Sequence, residues 1–280
     1  MEDFDSLGRP FRRRGMAQKM RLGGRIKAQG GDIYAAQPIS RKQAVFNEKA
    51  SQYAGQGVIT TPGYLRLEQL LATGAAATSL SQINFNTLDT SGVKLATERR
   101  LKLADTFTIT DISFYLGTGS TTAGATGAPT AAQQAVERLN TFPNGGVAAI
   151  GATNSGILES IYNGFLSLRV VTTTFLDSVP MRQFYRVGDV ATGVQQASGA
   201  AAAAGFLNQS SWPLSMFGRS ELLPTIELNG QSNIEFGITL PATVAYTQVA
   251  ATFTTAVIIL NGFLNQGAAT VQHNVQRRLR

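Results

Sequence analysis

The side chains best suited to chemistry are few in this sequence, and they stand apart. There is no Cys and a single His, His273, in the C-terminal stretch VQHNVQRRLR. A general base or a metal site built on that imidazole needs partners, and no second His or thiol exists to supply them. His273 therefore reads as a polar residue of the tail. Glu227 and Glu235 are expected to face each other across a hairpin, as the two carboxylates of a glycosidase would, but both fall on strand faces that read as solvent-exposed. Gly117 to Gly127, GTGSTTAGATG, has the glycine content of a phosphate-cradling loop. It lacks the Lys-Ser/Thr ending of a P-loop, and no helix with a Rossmann acidic residue follows, so a surface loop is expected. Ser and Thr are abundant, yet a Ser nucleophile would find no His in the body to act as its base. Trp212, in SSWPLSMFG, reads as a packing anchor for a loop. These residues assemble no active site and call for no cofactor or metal. The expectation is a structural protein, not an enzyme.

The charge is more informative. The chain of 280 residues carries a net +7, and that excess lies in its two ends. Arg9, Arg12, Arg13, Arg14, Lys19, Arg21, Arg25 and Lys27 stand against only Glu2, Asp3 and Asp5, which leaves +5 in the first 27 residues; Arg277, Arg278 and Arg280 add +3. The remainder is close to neutral. Basic ends on a neutral body point to an anionic partner, either nucleic acid or a lipid headgroup surface. No apolar run of about 18 residues is present, so no transmembrane helix is expected. The polar, basic N-terminus has no signal core, and secretion by the usual route is not expected.

The elements that would position these residues read as follows. Residues 1–37, rich in Arg and Gly and without apolar periodicity, form a basic extended arm. Residues 38–78 form a helical linker or clamp. Within it SRKQAVFNEKASQY is a helix with Ser40 as its N-cap, and TPGYLRLEQLLATG is a second short helix carrying Leu67, Leu70 and Leu71. Residues 79–265 form the β-rich body, with long loops at 117–156 and 187–211, and residues 266–280 form a basic tail. In the body, Ile83 and Phe85 alternate. The run from Ala96 to Lys102 is helix-compatible and gives way to a strand. Phe107 and Ile109 share one parity, whereas Ile112, Phe114 and Leu116 share the other, which predicts a β-bulge near Thr110–Asp111. Phe165 to Phe175 reads as a strand, MRQFYRV after Pro180 as another, and Thr130 to Leu139 as a short helix. Asn229-Gly230 signals a hairpin between two strands, the second carrying Ile234, Phe236, Ile238 and Leu240 inward. ATFTTAVIILNGFL, nearly continuous in apolar residues, predicts a central strand.

An all-β body with a basic arm, long loops and no catalytic set is similar to viral coat subunits. TERRLKLADTFTITDISFYL, followed by LLPTIELNGQSNIEFGITLP, resembles major capsid proteins of tailless icosahedral bacteriophages, especially those with an internal membrane. The resemblance covers roughly residues 80–262 and rests on strand patterns. It implies jelly-roll barrels standing upright in a shell, often two per subunit, with trimers as building blocks. The expected fold is thus all-β, a viral jelly roll: a double roll by resemblance, with a single roll as the alternative, since about eight strands are visible where two rolls need about sixteen.

The function this implies is that of a major capsid subunit. It would self-assemble into an icosahedral shell in the host cytoplasm and reside in the virion, with its basic termini facing an internal membrane or genome. Its partners would be itself, other virion proteins, and anionic lipid or nucleic acid. A phage spike or minor virion protein, and a carbohydrate-binding jelly-roll module, are the alternatives. Exposed aromatics along one face would mark the last of these, and the sequence has a single Trp.

Overall fold

The computed structural model describes residues 40–90, 92–122, 127–144, 147, 149–186 and 219–271. The chain divides into two units, Met1–Glu48 and Lys49–Arg280, and the boundary falls inside helix α1 (Arg41–Gln52). Ser40 starts this helix as expected: its Oγ accepts the Gln43 N–H at 3.2 Å, satisfying one of the first-turn donors that have no intrahelical partner.

The second unit is mostly β. Among the described residues nine strands, β1 (Ile59–Thr73), β2 (Ala77–Phe85), β3 (Thr106–Ser120), β4 (Arg138–Asn140), β5 (Phe165–Val170), β6 (Thr173–Pro180), β7 (Arg219–Asn229), β8 (Ile234–Thr247) and β9 (Thr252–Gln266), form two antiparallel sheets. One sheet runs β1-β9-β3, with β7 and the short β4 both on the far edge of β3; the other runs β2-β8-β5-β6. Setting β4 aside, the pairs are nested. The first strand pairs with the last (β1·β9), the second with the next to last (β2·β8), then β3 with β7 and β5 with β6.

The inward side chains of both sheets meet in one apolar core. Leu65, Leu67, Phe114, Ile258 and Leu260 come from the first sheet, and Ile83, Phe85, Leu166, Leu168 and Ile238 from the second. The parity change predicted in β3 is present. Register slips between Ile109 and Asp111 against both neighbours: against β9 Thr110 is the one extra residue, and against β7 the four residues 222–225 stand opposite it. Phe107 and Ile109 before the slip, and Ile112, Phe114 and Leu116 after it, are all buried. The apolar run of β9 is also central, flanked by β1 and β3.

Several expectations are corrected. TPGYLRLEQLLATG is not a helix but the greater part of β1. A register slip between Leu70 and Ala72 inserts Leu71 as an extra residue. Leu67 and Leu71 both lie against the core, because residues four apart share a face on a strand as they do on a helix. Pro62 fits because β1 is an edge strand, where a missing N–H costs no ladder bond on its open side. Asn229-Gly230 does turn the chain, but it joins β7 in one sheet to β8 in the other, so it closes no hairpin. Phe165 to Phe175 is not one strand: it breaks at Val171 and Thr172 into the β5–β6 hairpin, with Val171 at φ 56°. MRQFYRV is not a strand either. Met181–Phe184 is a 3-10 turn whose first and last side chains, three apart and so on one side, are buried.

The stretch expected as the loop 117–156 holds more structure than that. β3 continues to Ser120. Helix α2 (Ala131–Ala135) lies inside the expected 130–139 helix but is shorter, and it starts on a capping box between Thr130 and Gln133. Helix α3 (Gly151–Tyr162) was not expected at all. Its Leu158, Ile161 and Tyr162 reach the core, and the Tyr162 ring packs edge-on against Phe114 at 5.3 Å.

Candidate functional site

Every basic residue expected to meet an anionic partner, from Arg9 to Lys27 and from Arg277 to Arg280, lies outside the described residues. So do His273, Trp212 and the loop 187–211. The structure does describe the residues at which the β-rich body opens and closes.

Ile59 opens β1 directly opposite Gln266, which closes β9. The Gly267 N–H then donates to Asp105 Oδ1 at 2.9 Å, and the Ala269 N–H to the Ala104 carbonyl at 3.1 Å. Gly230 of the β7–β8 turn donates to the Asp105 carbonyl at 3.0 Å, and Val171 of the β5–β6 turn donates to the Asn233 carbonyl at 2.8 Å. These bonds tie residues 59, 103–105, 171, 229–233 and 266–269 into one rim of the body. Just inside it, Lys49 Nζ and the Tyr53 hydroxyl both reach the Glu227 carboxylate, at 2.6 and 3.0 Å.

The two carboxylates expected to face each other, Glu227 and Glu235, are not brought together. Glu227 and Glu235 belong to different sheets. Glu235 instead faces Arg169 at 3.6 Å, with both side chains at least half exposed. Gly117 to Ser120, read as part of a loop, are the end of β3.

The polar cluster that does form lies on the side of β1, β9 and β3 facing away from the core. Arg66 of β1 forms ion pairs with Glu68 on the same strand and with Glu137, which lies between α2 and β4. Thr255 of β9 donates to Glu137, and Thr97 donates to Glu68 at 2.7 Å. Arg100 grips Glu98 with two bonds, Nε to Oε1 at 2.9 Å and an Nη to Oε2 at 2.8 Å. Glu98 also accepts the Glu68 and Leu95 backbone N–H groups. Burial pushes the Glu68 and Glu137 carboxyls above the usual Glu range, opposed by the hydroxyl donors and by Arg66. Gly117 makes room for this contact, because a Cβ there would meet Glu137 Oε1 at 2.0 Å.

Chemically this cluster is a fastening. Its carboxylates are held by guanidinium and hydroxyl donors, a geometry that fixes chain segments against a sheet. It clamps residues 95–101 along the open edge of β1, where Arg66 and Arg99 exchange backbone hydrogen bonds. That placement corrects the helix-compatible reading of Ala96 to Lys102: Ala96 and Thr97 form a turn, and the residues after them carry isolated bridges at Arg99 and Leu101. The pairs Arg66/Glu68 and Glu98/Arg100 were visible in the sequence as opposite charges two apart, a spacing that shares a face on a strand and not on a helix. Among the described residues, no group of three or more His, Cys, Asp or Glu is arranged to hold a metal ion, and no helix is long and apolar enough to cross a membrane. Comparison with protein-family models, with curated proteins and with solved structures finds no match for the chain.

Proposed function

We propose that this chain is a structural virion protein, a coat subunit of single jelly-roll type that assembles with copies of itself into a closed shell. The observation that carries the reading is the nested strand pairing, first with last through to the central β5–β6 hairpin. A chain folded as one long hairpin and rolled across two sheets gives this order, which is the eight-strand jelly roll of capsid and lectin domains. β4, three residues long, is an addition at the edge of that plan. Fold alone does not assign function, so the charge distribution is the second support. The basic excess sits in the ends, and the near-neutral body suits close packing against copies of itself.

In this reading the basic ends face the particle interior and neutralise anionic lipid or nucleic acid. The particle is built in the host cytoplasm, with trimers as the first assembly unit. Negative-stain microscopy of the full chain and of a variant lacking residues 1–37 tests it. The full chain is expected to form particles. The variant is expected to keep the β fold by circular dichroism and to lose or alter particle closure. A full chain that forms no assembly larger than a monomer rejects the reading.

A further inference from the structure

The two sheets end in edge strands, and the chain treats these edges unequally. In the first sheet, β1 contains Pro62 and is covered by residues 95–101, where Arg66 and Arg99 exchange backbone hydrogen bonds. On the far side of β3, β4 has only three residues, and β7 carries Arg219, Glu221, Pro224, Glu227 and the excursion at 222–225. In the second sheet, β6 slips register twice against β5, holds Ser178 at φ 53°, and carries Asp177 and Pro180. Charges, prolines, bulges, short length and a covering segment are the devices that keep an edge from pairing with another chain. β2, the other edge of the second sheet, shows none of them. Its nine residues, ATSLSQINF, include no charge, no Pro and no positive φ. The one slip along it is taken up by β8, whose residues 240–243 stand opposite Ser81. The segment that covers β1 meets the chain only beyond the end of β2, at Thr87 and Asp89. Among the described residues, the backbone of 77–85 pairs with β8 alone. Ala77, Ser79, Ser81, Gln82 and Asn84 are exposed.

We infer that β2 is a pairing edge, which adds the β2 of a second copy of this chain across a two-fold axis. The inference deepens the proposed self-assembly by naming one contact, and it rests on that reading for the occupant. A row of unpaired backbone N–H and C=O groups is a template for another extended strand. Of the edges that a second copy presents among the described residues, β2 is the one left unblunted, so like meets like. Two copies of one strand running antiparallel about a two-fold make an isologous contact, which closes on itself and does not grow into a fibre. Such a pairing sets each side chain opposite one from the same nine residues, so a strand with charges of one sign would repel itself. β2 carries no charge. The joined sheet would run through eight strands, four from each copy.

The sequence has no Cys, so single cysteines in the full chain report this contact without background. Ser79→Cys, Ser81→Cys and Gln82→Cys are compared with Val136→Cys, which is 70% exposed and outside the second sheet. Under mild oxidation, at least one of the three is expected to form a disulfide-linked dimer about tenfold faster than Val136→Cys, because two-fold partners near the axis come within disulfide range. The double variant Ser79→Lys, Gln82→Lys supplies the charge that the edge lacks. Sedimentation velocity is expected to show its self-association weakened about tenfold, with the circular dichroism spectrum and urea midpoint unchanged. Cross-linking at all three positions no faster than at Val136→Cys overturns the inference, as does unweakened association of the folded Lys variant. Particle formation is scored separately. A dimer linked through β2 that never closes into particles keeps this inference and rejects the shell, whereas particles formed equally by wild type and Lys variant keep the shell and overturn the contact.

Discussion

Ile59, the first residue of β1, is the cross-strand partner of Gln266, the last residue of β9. This one pairing closes the outermost turn of the nested hairpin and brings the two ends of the body to the same rim. The sequence has no Cys, so the pairing can be tested by covalent capture. Facing residues in an antiparallel ladder sit about 4.5–5.5 Å apart at Cα, within disulfide range. The double variant Ile59→Cys, Gln266→Cys is expected to close a disulfide under mild oxidation at low protein concentration. It should then gain about 2–4 kcal/mol in urea unfolding relative to its reduced form. Failure to form the intramolecular bond would contradict the register.

Arg66 bridges Glu68 and Glu137, both of which are almost fully buried. Removing it leaves two buried carboxylates without their cation, the situation in which breaking an ion pair is most costly. Arg66→Ala is expected to lower unfolding free energy by about 3–5 kcal/mol. Chemical denaturation checks this, and a loss under about 1 kcal/mol would show the cluster to be loosely solvated.

The pH dependence has a definite sign. Burial raises the Glu137 carboxyl above its reference value of 4.5, so the folded chain holds that proton more tightly than the unfolded chain does. Its favourable contribution is complete below the unfolded value and is lost as the pH climbs through the raised folded one. The stability of Glu137→Gln relative to wild type is therefore expected to rise from about pH 4.5 to about pH 8, by free energies of unfolding measured at each pH. A difference that stays constant, or grows as the pH falls, would contradict the assignment.

Gly262 lies beside the bulge in β3, and a Cβ there would stand 1.8 Å from the Thr108 carbonyl oxygen. That contact is with backbone, which cannot swing aside. Gly262→Ala must push β9 from β3 or undo the slip at Thr110. It is expected to cost about 1–3 kcal/mol or more by thermal or urea unfolding. A neutral effect would show that the two strands have slack at this point.

Much of the body was legible, because a half-buried strand announces its inward face by alternation. The bulge at Thr110 was readable from Phe107 and Ile109 changing phase to Ile112 and Phe114, and the unbroken apolar run of β9 gave its central place. The failures share a cause, which is that local spacing does not report which neighbour a segment will have. Leu67 and Leu71 looked helical because residues four apart share a face on a helix and on a strand alike. Asn229-Gly230 signalled a turn, but nothing local says whether the next strand stays in the same sheet. Helix α3 was hidden by Gly, Thr, Ser and Asn, which favour turns in isolation; Leu158, Ile161 and Tyr162, at spacings of three and one, were its only sign, and tertiary burial overrides its weak propensity. The Arg66–Glu137 contact joins residues 71 apart in sequence, and no local pattern anticipates it.

The central claim is self-assembly, and the most direct test is sedimentation velocity of the purified full chain across a wide concentration range, with particles imaged by negative stain. The account predicts a concentration-dependent shift from small oligomers, trimers foremost, to closed shells of uniform size, promoted by anionic vesicles or nucleic acid. A single monomeric species at every concentration, unchanged when either anionic partner is added, would contradict it.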